Sequence, residues 1–488
     1  MLTRARLASY HRDGMTLRAD IDHLRRILAA SLPTGARAAE LFIESRLGVH
    51  LTLEAGGAGA HVERRWETGA HLRRFSEGRH ESFVLDAPTH DSLEALALHP
   101  EAVSTDWLSG APPVGVTRER ADMVTLEASL SDADPAAAGG PWSPRFLAEA
   151  TALASEWLAP VGDEAGTVTL EACLQEILVI TTDRDSARDT RSFVDATLRL
   201  RSSQDVRAVP MEETRSAATL AALAGASAGP HNPAAALLGR AGRARESAPA
   251  PNAAMPVVFA SPSGGFLLHE VCGHLLEADH VLLGVSPFTA ARGRAIASPL
   301  LTLADDGSIP GMRGSTLFDD EGVAARRTPL IMDGILVGYL SDRLTSISTS
   351  GISTGNGRRQ SYRDAPMPRM TNLVIDPGKA TFDEILGDTK AGLLVTRLGR
   401  GRVDPATGLF ALSVEEGFLI EHGRAARSVA GVVLRGRAAD LLQAIDAVGN
   451  DAVADTGAPM CVKQDQAIPF GILQPTLRVS SMTVTGRS

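Results

Sequence analysis

The 488-residue sequence has few cysteines, no long apolar run and no excess of positive charge. Its three cysteines, Cys173, Cys272 and Cys461, are too few and too scattered for a disulfide framework. Each is therefore expected to be a small buried apolar residue, a reactive thiol or a metal ligand. No apolar run reaches the ~18 residues that indicate a transmembrane helix. The net charge of −10 argues against a surface that binds phosphates of nucleic acids.

The composition is that of a globular enzyme, with 44% hydrophobic and 22% charged residues. Residues 17–33 have helical spacing of apolar positions, and no apolar core with a small-residue cleavage site precedes them. We therefore expect an amphipathic N-terminal helix rather than a signal peptide, and a cytoplasmic protein.

The length favours more than one domain, and the composition indicates where the boundary lies. Residues 1–225 are predicted to form an α+β domain with an antiparallel pair of strands and with helices around 92–99 and 144–158. Residues 226–256 are rich in Ala and Pro and are predicted to be a linker, with a possible helix after Asn232-Pro233.

Residues 257–488 are predicted to be a β-rich domain, because turn dipeptides separate apolar runs in this half. Asp333-Gly334 lies between two such runs, and His422-Gly423 and Asp306-Gly307 repeat the pattern, so each predicts a hairpin. The tail PTLRVSSMTVTG alternates like a strand. One helix is expected, around 265–279. The predicted fold class is therefore α+β, with an antiparallel sheet in the N-terminal domain.

The predicted helix contains HEVCGH at residues 269–274, within a stretch that is apolar on nearly every side. Such a helix is normally buried, and buried imidazole and carboxylate groups are costly unless they find partners. A divalent metal is one such partner for His269 and His274. The alternative is that the two histidines hydrogen-bond to the backbone.

The spacing of the two histidines constrains the metal interpretation. Residues four apart on a helix differ by about 40° in direction, whereas residues five apart differ by about 140°. A shared metal therefore requires a locally irregular helix, such as a π-bulge. Gly273 is the predicted place for it, because glycine accepts unusual backbone angles.

A catalytic zinc usually has three protein ligands and one open position. The candidates for a third ligand are Glu277, Asp279, His280 and Cys461. Composition does not choose among these four residues. Glu270, adjacent to the first histidine, is a candidate general base that takes a proton from metal-activated water.

Several longer segments resemble one protein family, in the family's order. They are LLHEVCGHLLEAD, GSTLFDDEG, STGNGRRQSYRDAPMPRMTN, GRVDPATGLFALSVEEGFLIEHG, VGNDAVADTGAPMC and GILQPTLRV. The sequence resembles the TldD subfamily of the TldD/PmbA (TldD/TldE) zinc metalloproteases, closely from about residue 256 to 488 and more weakly before 225. The resemblance implies a zinc peptidase with an HExxxH helix, in which Zn²⁺ is held by His269, His274 and Cys461 and Glu270 is catalytic.

The resemblance has departures. The family commonly has GHGLEGD where this chain has GHLLEADH, so Leu275 and Ala278 replace glycines. Around Cys461 the family commonly has Gly-x-Cys-Gly-Lys, where this chain has Pro-Met-Cys-Val-Lys. Both changes bear on substrate preference. Cys272 falls where the family has small apolar residues, which indicates packing.

An arginine-rich loop supplies candidate substrate-binding residues. Arg358 and Arg359 are candidates to bind a peptide carboxylate or an oxyanion, and Tyr362 is a candidate to donate a hydrogen bond to it. The alternative is that they anchor the loop to Asp319, Asp320 or Glu321.

The resemblance also implies partners and substrates. We expect a homodimer or a heterodimer with a TldE/PmbA-like paralogue, and small or unfolded peptides as substrates, a modified precursor peptide among them. Nucleic acid and membrane are not expected partners. The alternatives are a zinc hydrolase that acts on a non-peptide amide and a non-catalytic regulatory subunit of a TldD/TldE-like complex.

Overall fold

The computed structural model describes residues 21–57, 59–76, 79–103, 115–121, 143–162, 165–201, 211–349 and 351–486. The chain divides into two units. The first contains Met1–Ala228 with Thr316–Ala324 and Arg359–Pro366, and the second contains Gly229–Ser315, Ala325–Arg358 and Met367–Ser488. No pattern in the sequence predicts that Thr316–Ala324 and Arg359–Pro366 belong to the first unit. The domain boundaries at residues 225 and 256 stay a prediction.

The first unit is a sheet with helices against it. Its helices are α1 (Ile21–Ala30), α2 (His90–Leu98), α3 (Pro100–Val103), α4 (Pro144–Leu158) and α5 (Leu220–Ala226). Its strands are β1 (Ala38–Glu54), β2 (Ala60–Ser76), β3 (Arg79–Asp86), β4 (Gly115–Ala121), β5 (Ala165–Thr181), β6 (Ala187–Arg201) and β7 (Met211–Ala217). The strand order is β3-β2-β1-β5-β6-β7, β4 pairs with β2, and every pair is antiparallel.

Most of the sequence predictions for the first unit are confirmed. The helices predicted around 92–99 and 144–158 are α2 and α4, and the predicted antiparallel pair is β5 and β6. Helix α4 begins at Pro144 because the side chain of Ser143 accepts from the N–H of Phe146. The predicted N-terminal helix is present at Ile21–Ala30. Residues 17–20 of that prediction lie outside the described residues.

One prediction for the first unit is wrong. The segments AAELFIESR and VHLTLEAGG predict two strands that end in glycine-rich turns, but AAELFIESR and the first six residues of VHLTLEAGG lie in the single 17-residue strand β1, and a turn follows only after Glu54. Gly48 lies within this strand and pairs with Arg65 of β2 and Cys173 of β5. Pairing on both sides keeps the glycine extended, so no turn forms there.

The second unit is rich in short strands. Its helices are α6 (Pro233–Arg245), α7 (Gly265–Leu268), α8 (Ala278–Leu282), α9 (Arg343–Thr349), α10 (Phe382–Asp388) and α11 (Ala438–Gln443). Its first strands are β8 (Ala248–Pro249), β9 (Ala253–Phe259), β10 (Leu303–Asp306), β11 (Arg327–Met332), β12 (Ile335–Leu336), β13 (Gly357–Arg358), β14 (Met367–Pro368), β15 (Asn372–Ile375) and β16 (Ala391–Val403).

The remaining strands are β17 (Leu409–Glu421), β18 (Arg424–Ala430), β19 (Val432–Arg437), β20 (Ile445–Val448), β21 (Val453–Ala454), β22 (Met460–Lys463), β23 (Gln466–Pro469), β24 (Gly471–Gln474) and β25 (Leu477–Gly486). One sheet has the order β16-β9-β25-β19-β17-β18-β8, with β20 also on β25, and a second has the order β12-β11-β10-β15-β24-β21. Strands β13 and β14, and strands β22 and β23, form two separate pairs. The predicted α+β fold class is confirmed.

The hairpin predictions are confirmed in two places and wrong in one. Asp333-Gly334 connects β11 to β12, and His422-Gly423 connects β17 to β18. Asp306-Gly307 closes no hairpin, because β10 pairs with β11, which begins only at Arg327. The side chain of Asp306 instead accepts from the N–H of Ser308, which makes a local turn. Helix α6 is the helix predicted after Asn232-Pro233, and α9, α10 and α11 accompany the helix expected around 265–279.

The core of the second unit surrounds the helical segment that contains HEVCGH. Leu267, Leu268, Val271, Leu275 and Leu276 are all buried in it. Among the described residues, no helix is long and apolar enough to span a membrane. The three cysteines form no disulfide.

Candidate metal centre

The segment that contains HEVCGH is an irregular helix. Helix α7 continues into a π-helical turn at His269–Gly273, and a 3₁₀ turn follows at His274–Leu276. The N–H of His274 donates to the carbonyl of His269, five residues earlier. The irregularity predicted near Gly273 is confirmed. It brings the two imidazole rings together, with their centroids 4.8 Å apart.

Gly273 fits this turn because a larger residue has no room there. A Cβ atom at this position would lie 2.0 Å from the Sδ of Met370. Met370 is itself buried in the core of the second unit. The glycine therefore permits close packing of the π-turn against this side chain.

Three ligand-type atoms meet at this turn. One nitrogen each of His269 and His274 and the Sγ of Cys461 all lie within 4.8 Å of one another, and all three residues are buried. The Sγ of Cys461 is 3.2 Å from the Nε2 of His274. Cys461 lies on β22, 187 positions from His274 along the chain.

The group fits a tetrahedral metal ion. Ligand atoms about 2.0–2.3 Å from such an ion lie roughly 3.3–3.6 Å from one another. The side chain of His269 has no solvent-exposed surface, and among the described residues neither of its ring nitrogens has a hydrogen-bond partner. Because buried polar atoms are nearly always satisfied, these nitrogens indicate a ligand. A metal bound there would be held by His269, His274 and Cys461.

The electrostatics of the group favour a thiolate. Burial opposes ionisation of Cys461, but the neighbouring His269 and His274 outweigh it and hold the pKa of the thiol well below its usual value. Burial likewise opposes protonation of His274, but the Glu277 carboxylate outweighs it and raises the pKa of the imidazole. A thiolate is the form of cysteine that binds metals.

Glu270 lies in the π-turn beside His269. It is half-buried, and burial raises the pKa of its carboxyl group while His269 and His274 partly offset the shift. A carboxyl group with a raised pKa beside candidate metal ligands has the character of a general base.

Three of the four candidate third ligands form a second group. Ligand atoms of Glu277, Asp279 and His280 lie within 4.8 Å of one another, and this second group contacts the first through Glu277, whose Oε2 is 3.1 Å from the Nδ1 of His274. The ammonium group of Lys463 donates to Glu277 at 2.8 Å and to Asp279 at 2.8 Å. A cationic side chain therefore already balances part of the negative charge of this second group.

The two residues that replace family glycines after the second histidine are buried, whereas Val462, which departs from the family pattern beside Cys461, is exposed. Leu275 and Ala278 have no exposed surface, so they contribute to the interior rather than to an open face. Cys272 is buried as well, and burial raises the pKa of its thiol to about 12. An un-ionised thiol in an apolar core agrees with packing, the role that the resemblance implies for Cys272.

Arg358 has a backbone partner within the second unit. Its guanidinium donates to the carbonyl of Met370 at 2.6 Å. Only a few per cent of the Arg358 surface is exposed. A substrate-binding role for Arg358 stays a prediction.

Arg359 and Tyr362 have structural contacts within the first unit. The backbone N–H of Arg359 donates to Asp320 at 2.7 Å, and its guanidinium donates to Glu40 at 3.1 Å. The hydroxyl of Tyr362 donates to Asp86, and its N–H donates to Glu44. These contacts are those of a loop anchor, and a role in substrate binding stays a prediction.

Two residues near the group were assigned no role from the sequence. Lys463 contacts the acidic pair described above, and Arg369 donates to the carbonyls of Cys461 and Gln466. The two-residue period of a strand was an available signal for Lys463, since it places this residue on the same face as Cys461. No local pattern points to Arg369.

The C-terminal half of the chain is similar to known proteins. Residues 252–486 match the family described as PmbA/TldA metallopeptidase C-terminal domain. A Haemophilus influenzae protein named Metalloprotease TldD homolog is 41% identical over 237 residues, which are 49% of this chain and 49% of that one. A Saccharolobus solfataricus protein named Zinc metalloprotease TldD homolog is 30% identical over 47% of this chain and 51% of that one. The chain thus spans about half the length of the curated relatives it matches.

The fold extends over more of the chain than these sequence matches do. TldE from Thermococcus kodakarensis superposes with a TM-score of 0.68 at 18% identity, over 96% of this chain and 100% of that one. At this identity the likeness shows the fold alone.

Fold and site together define an α+β protein with a candidate His/His/Cys metal centre in its β-rich unit. Residues 252–486, the part of the chain that the family model matches, are similar to the TldD/PmbA metallopeptidase family.

Proposed function

We propose that this protein is a zinc-dependent peptidase that cleaves small or unfolded peptides. The observation that carries the proposal is the buried group of His269, His274 and Cys461 with Glu270 beside it. Relatives named metalloproteases support the peptidase activity, and the one named a zinc metalloprotease supports the metal. Two imidazoles and a thiolate also favour zinc over hard cations such as Mg²⁺.

The proposed chemistry divides between the metal and Glu270. Zinc, when bound, would supply a Lewis acid that polarises the scissile carbonyl and makes water a better nucleophile. Glu270 takes the proton of the attacking water and later gives it to the leaving amine. The raised pKa of Glu270 suits both halves of this transfer, because it lies nearer to neutral pH than that of an ordinary carboxyl group.

The substrate and partners belong to the same proposal. The family resemblance supports peptides, including a modified precursor peptide, and a dimer formed with a second copy or with a TldE/PmbA-like paralogue. The likeness of the fold to a TldE structure agrees with such a pairing. Light scattering of the purified chain, alone and mixed with a paralogue, measures the oligomeric state. A cytoplasmic location stays a prediction from the sequence.

Peptide hydrolysis by the full chain tests the proposed activity. We would incubate the zinc-loaded protein with unstructured peptides and follow new amino termini, using wild type, Glu270→Gln and the control Glu421→Gln. Glu421 is an exposed partner of Arg427, and its change leaves the π-turn untouched. Loss of a general base is expected to lower kcat by about 10²–10⁴-fold in Glu270→Gln alone.

Other outcomes of this experiment favour the alternatives. Turnover of small amides but of no peptide, with the same dependence on Glu270, indicates a hydrolase for non-peptide amides. Zinc binding without any turnover indicates a regulatory subunit. Equal peptide cleavage by wild type and Glu270→Gln contradicts the assigned role of Glu270.

A further inference from the structure

The hairpin that carries Cys461 depends on side-chain anchors. Among the described strands, β22 and β23 pair only with each other, through a two-residue turn at Gln464 and Asp465, both with positive φ. A lone two-stranded hairpin is marginally stable by itself. The position of the Cys461 thiol must therefore be fixed by contacts to the rest of the second unit.

Lys463 is one such anchor. It is the last residue of β22, two positions after Cys461, so both side chains point to the same face of the hairpin. Its ammonium is buried and contacts Glu277, Asp279 and the carbonyl of Pro368. A buried ammonium group is retained only where its partners are well placed, so these contacts define where the hairpin lies.

Glu277 connects this anchor to a candidate metal ligand. The same Oε2 atom that accepts from Lys463 lies 3.1 Å from the Nδ1 of His274. Because an ionised carboxylate only accepts, Nδ1 carries the proton and the Nε2 lone pair is left for a metal. The Nε2 atom faces the Sγ of Cys461. One carboxylate oxygen thus fixes both the tautomer of His274 and the end of the Cys461 hairpin.

We infer that Glu277 and Lys463 are positioning residues that hold His274 and Cys461 in the geometry of metal ligands. The inference rests on the proposed function only in its assumption that the group binds zinc. Asp279 also contacts Lys463, but it has no contact with His274, Cys461 or His269 among the described hydrogen bonds and ion pairs. Asp279 therefore supports the anchor without orienting a ligand.

Zinc affinity of the full-length protein tests the inference. We would titrate wild type, Lys463→Met and Glu277→Gln with zinc in competition with a chelator, at a pH where affinity no longer changes with pH. Partners behind metal ligands typically contribute 10–100-fold in affinity, so roughly that loss is expected in each variant. The double variant is expected to lose little more than either single variant, because both act through one contact.

Matched controls separate positioning from general effects. Lys390→Met removes an exposed lysine that donates to the carbonyl of Gly387, and it should leave zinc affinity unchanged. Asp279→Asn should lose less affinity than Glu277→Gln. The absorption of the cobalt-loaded protein reports the thiolate ligand directly, and its thiolate band should weaken or shift in Lys463→Met. If Lys463 only stabilised the fold, Lys463→Met would lower the unfolding temperature and leave that band unchanged.

Each outcome decides the inference. Zinc affinity within about twofold of wild type in both variants, or an equal loss in Lys390→Met, overturns it. If Lys463→Met does not fold, Glu277→Gln decides alone, because it keeps the size of the side chain and an acceptor oxygen. Wild type that binds no zinc refutes the metal site and the inference together. Wild type that binds zinc and cleaves peptides while the variants bind equally well refutes the inference alone.

Discussion

The ring of Phe470 stacks on the ring of His269, with centroids 3.8 Å apart and planes inclined by 19°. Metal-binding histidines usually donate their second N–H to a carboxylate or a carbonyl. In the part of the chain that the structure describes, His269 has no hydrogen-bond partner on either nitrogen, so the aromatic ring orients it instead. The two histidines are thus held differently, His274 by Glu277 and His269 by Phe470.

Replacing Phe470 is expected to disturb metal binding as well as stability. Phe470→Ala should lower the free energy of unfolding by about 3–5 kcal/mol, because it removes a buried aromatic side chain. It should also weaken zinc binding, because the His269 ring loses the surface that orients it. Phe410→Ala is the matched control, since Phe410 is buried in the same core. Chelator competition and denaturant unfolding measure both effects, and equal zinc affinity in the two variants would refute the orienting role.

The π-turn is expected to require glycine at position 273. In Gly273→Ala the new methyl group would collide with Met370, at a cost of about 1–3 kcal/mol for overpacking, and zinc affinity should fall as the histidines separate. Gly225→Ala is the control, because nothing lies within 4 Å of a Cβ at that helical position. The control should be neutral or stabilising by up to about 1 kcal/mol. Unchanged stability and affinity in Gly273→Ala would show that the turn can relax.

Zinc affinity is expected to rise with pH. Metals bind the unprotonated imidazole, and the pKa of His274 is raised because the Glu277 carboxylate outweighs burial. The Cys461 thiol, whose pKa is lowered, is already ionised. Zinc therefore displaces one proton, from His274. The apparent zinc affinity should increase about tenfold per pH unit until the pH exceeds the raised pKa of His274. Titrations from pH 6 to pH 9 test this, and an affinity already constant below the usual imidazole pKa of about 6.5 would contradict it.

Tyr362 is expected to act as an anchor of its loop. Its hydroxyl donates to Asp86, so Tyr362→Phe should lower the free energy of unfolding by about 1–3 kcal/mol and leave KM unchanged. Tyr339→Phe is the control, because it likewise removes a tyrosine hydroxyl that donates one hydrogen bond, here to the carbonyl of Phe288. A raised KM for peptides with no loss of stability in Tyr362→Phe would instead assign it to substrate binding.

The sequence predicted the irregular helix because the reason for it is local. Two histidines five positions apart can face one metal only if the helix is distorted, and a glycine stands inside the spacing. The third ligand could not be chosen from spacing, since Cys461 is 187 positions from His274 and meets it only through tertiary folding. The family resemblance named the residue, and the structure brings it to the histidines.

Other features depended on distant partners. The single strand β1 is continuous through Gly48 because β2 and β5 pair with it on both sides, which the residues around Gly48 do not show. Asp306-Gly307 has the composition of a hairpin turn, but the partner of β10 begins 21 residues later, at Arg327. The role of Phe470 likewise depends on a contact between β23–β24 and the π-turn that no local pattern encodes.

The zinc content of purified protein tests the central claim most directly. Wild type, Cys461→Ser and Glu270→Ala would be purified without chelator, checked for folding and assayed for bound metal. We predict about one zinc per chain in wild type and in Glu270→Ala, and much less in Cys461→Ser, because the thiolate is a ligand and the Glu270 carboxylate is not. Folded wild type without zinc, or Cys461→Ser that keeps zinc as tightly as wild type, would contradict the account.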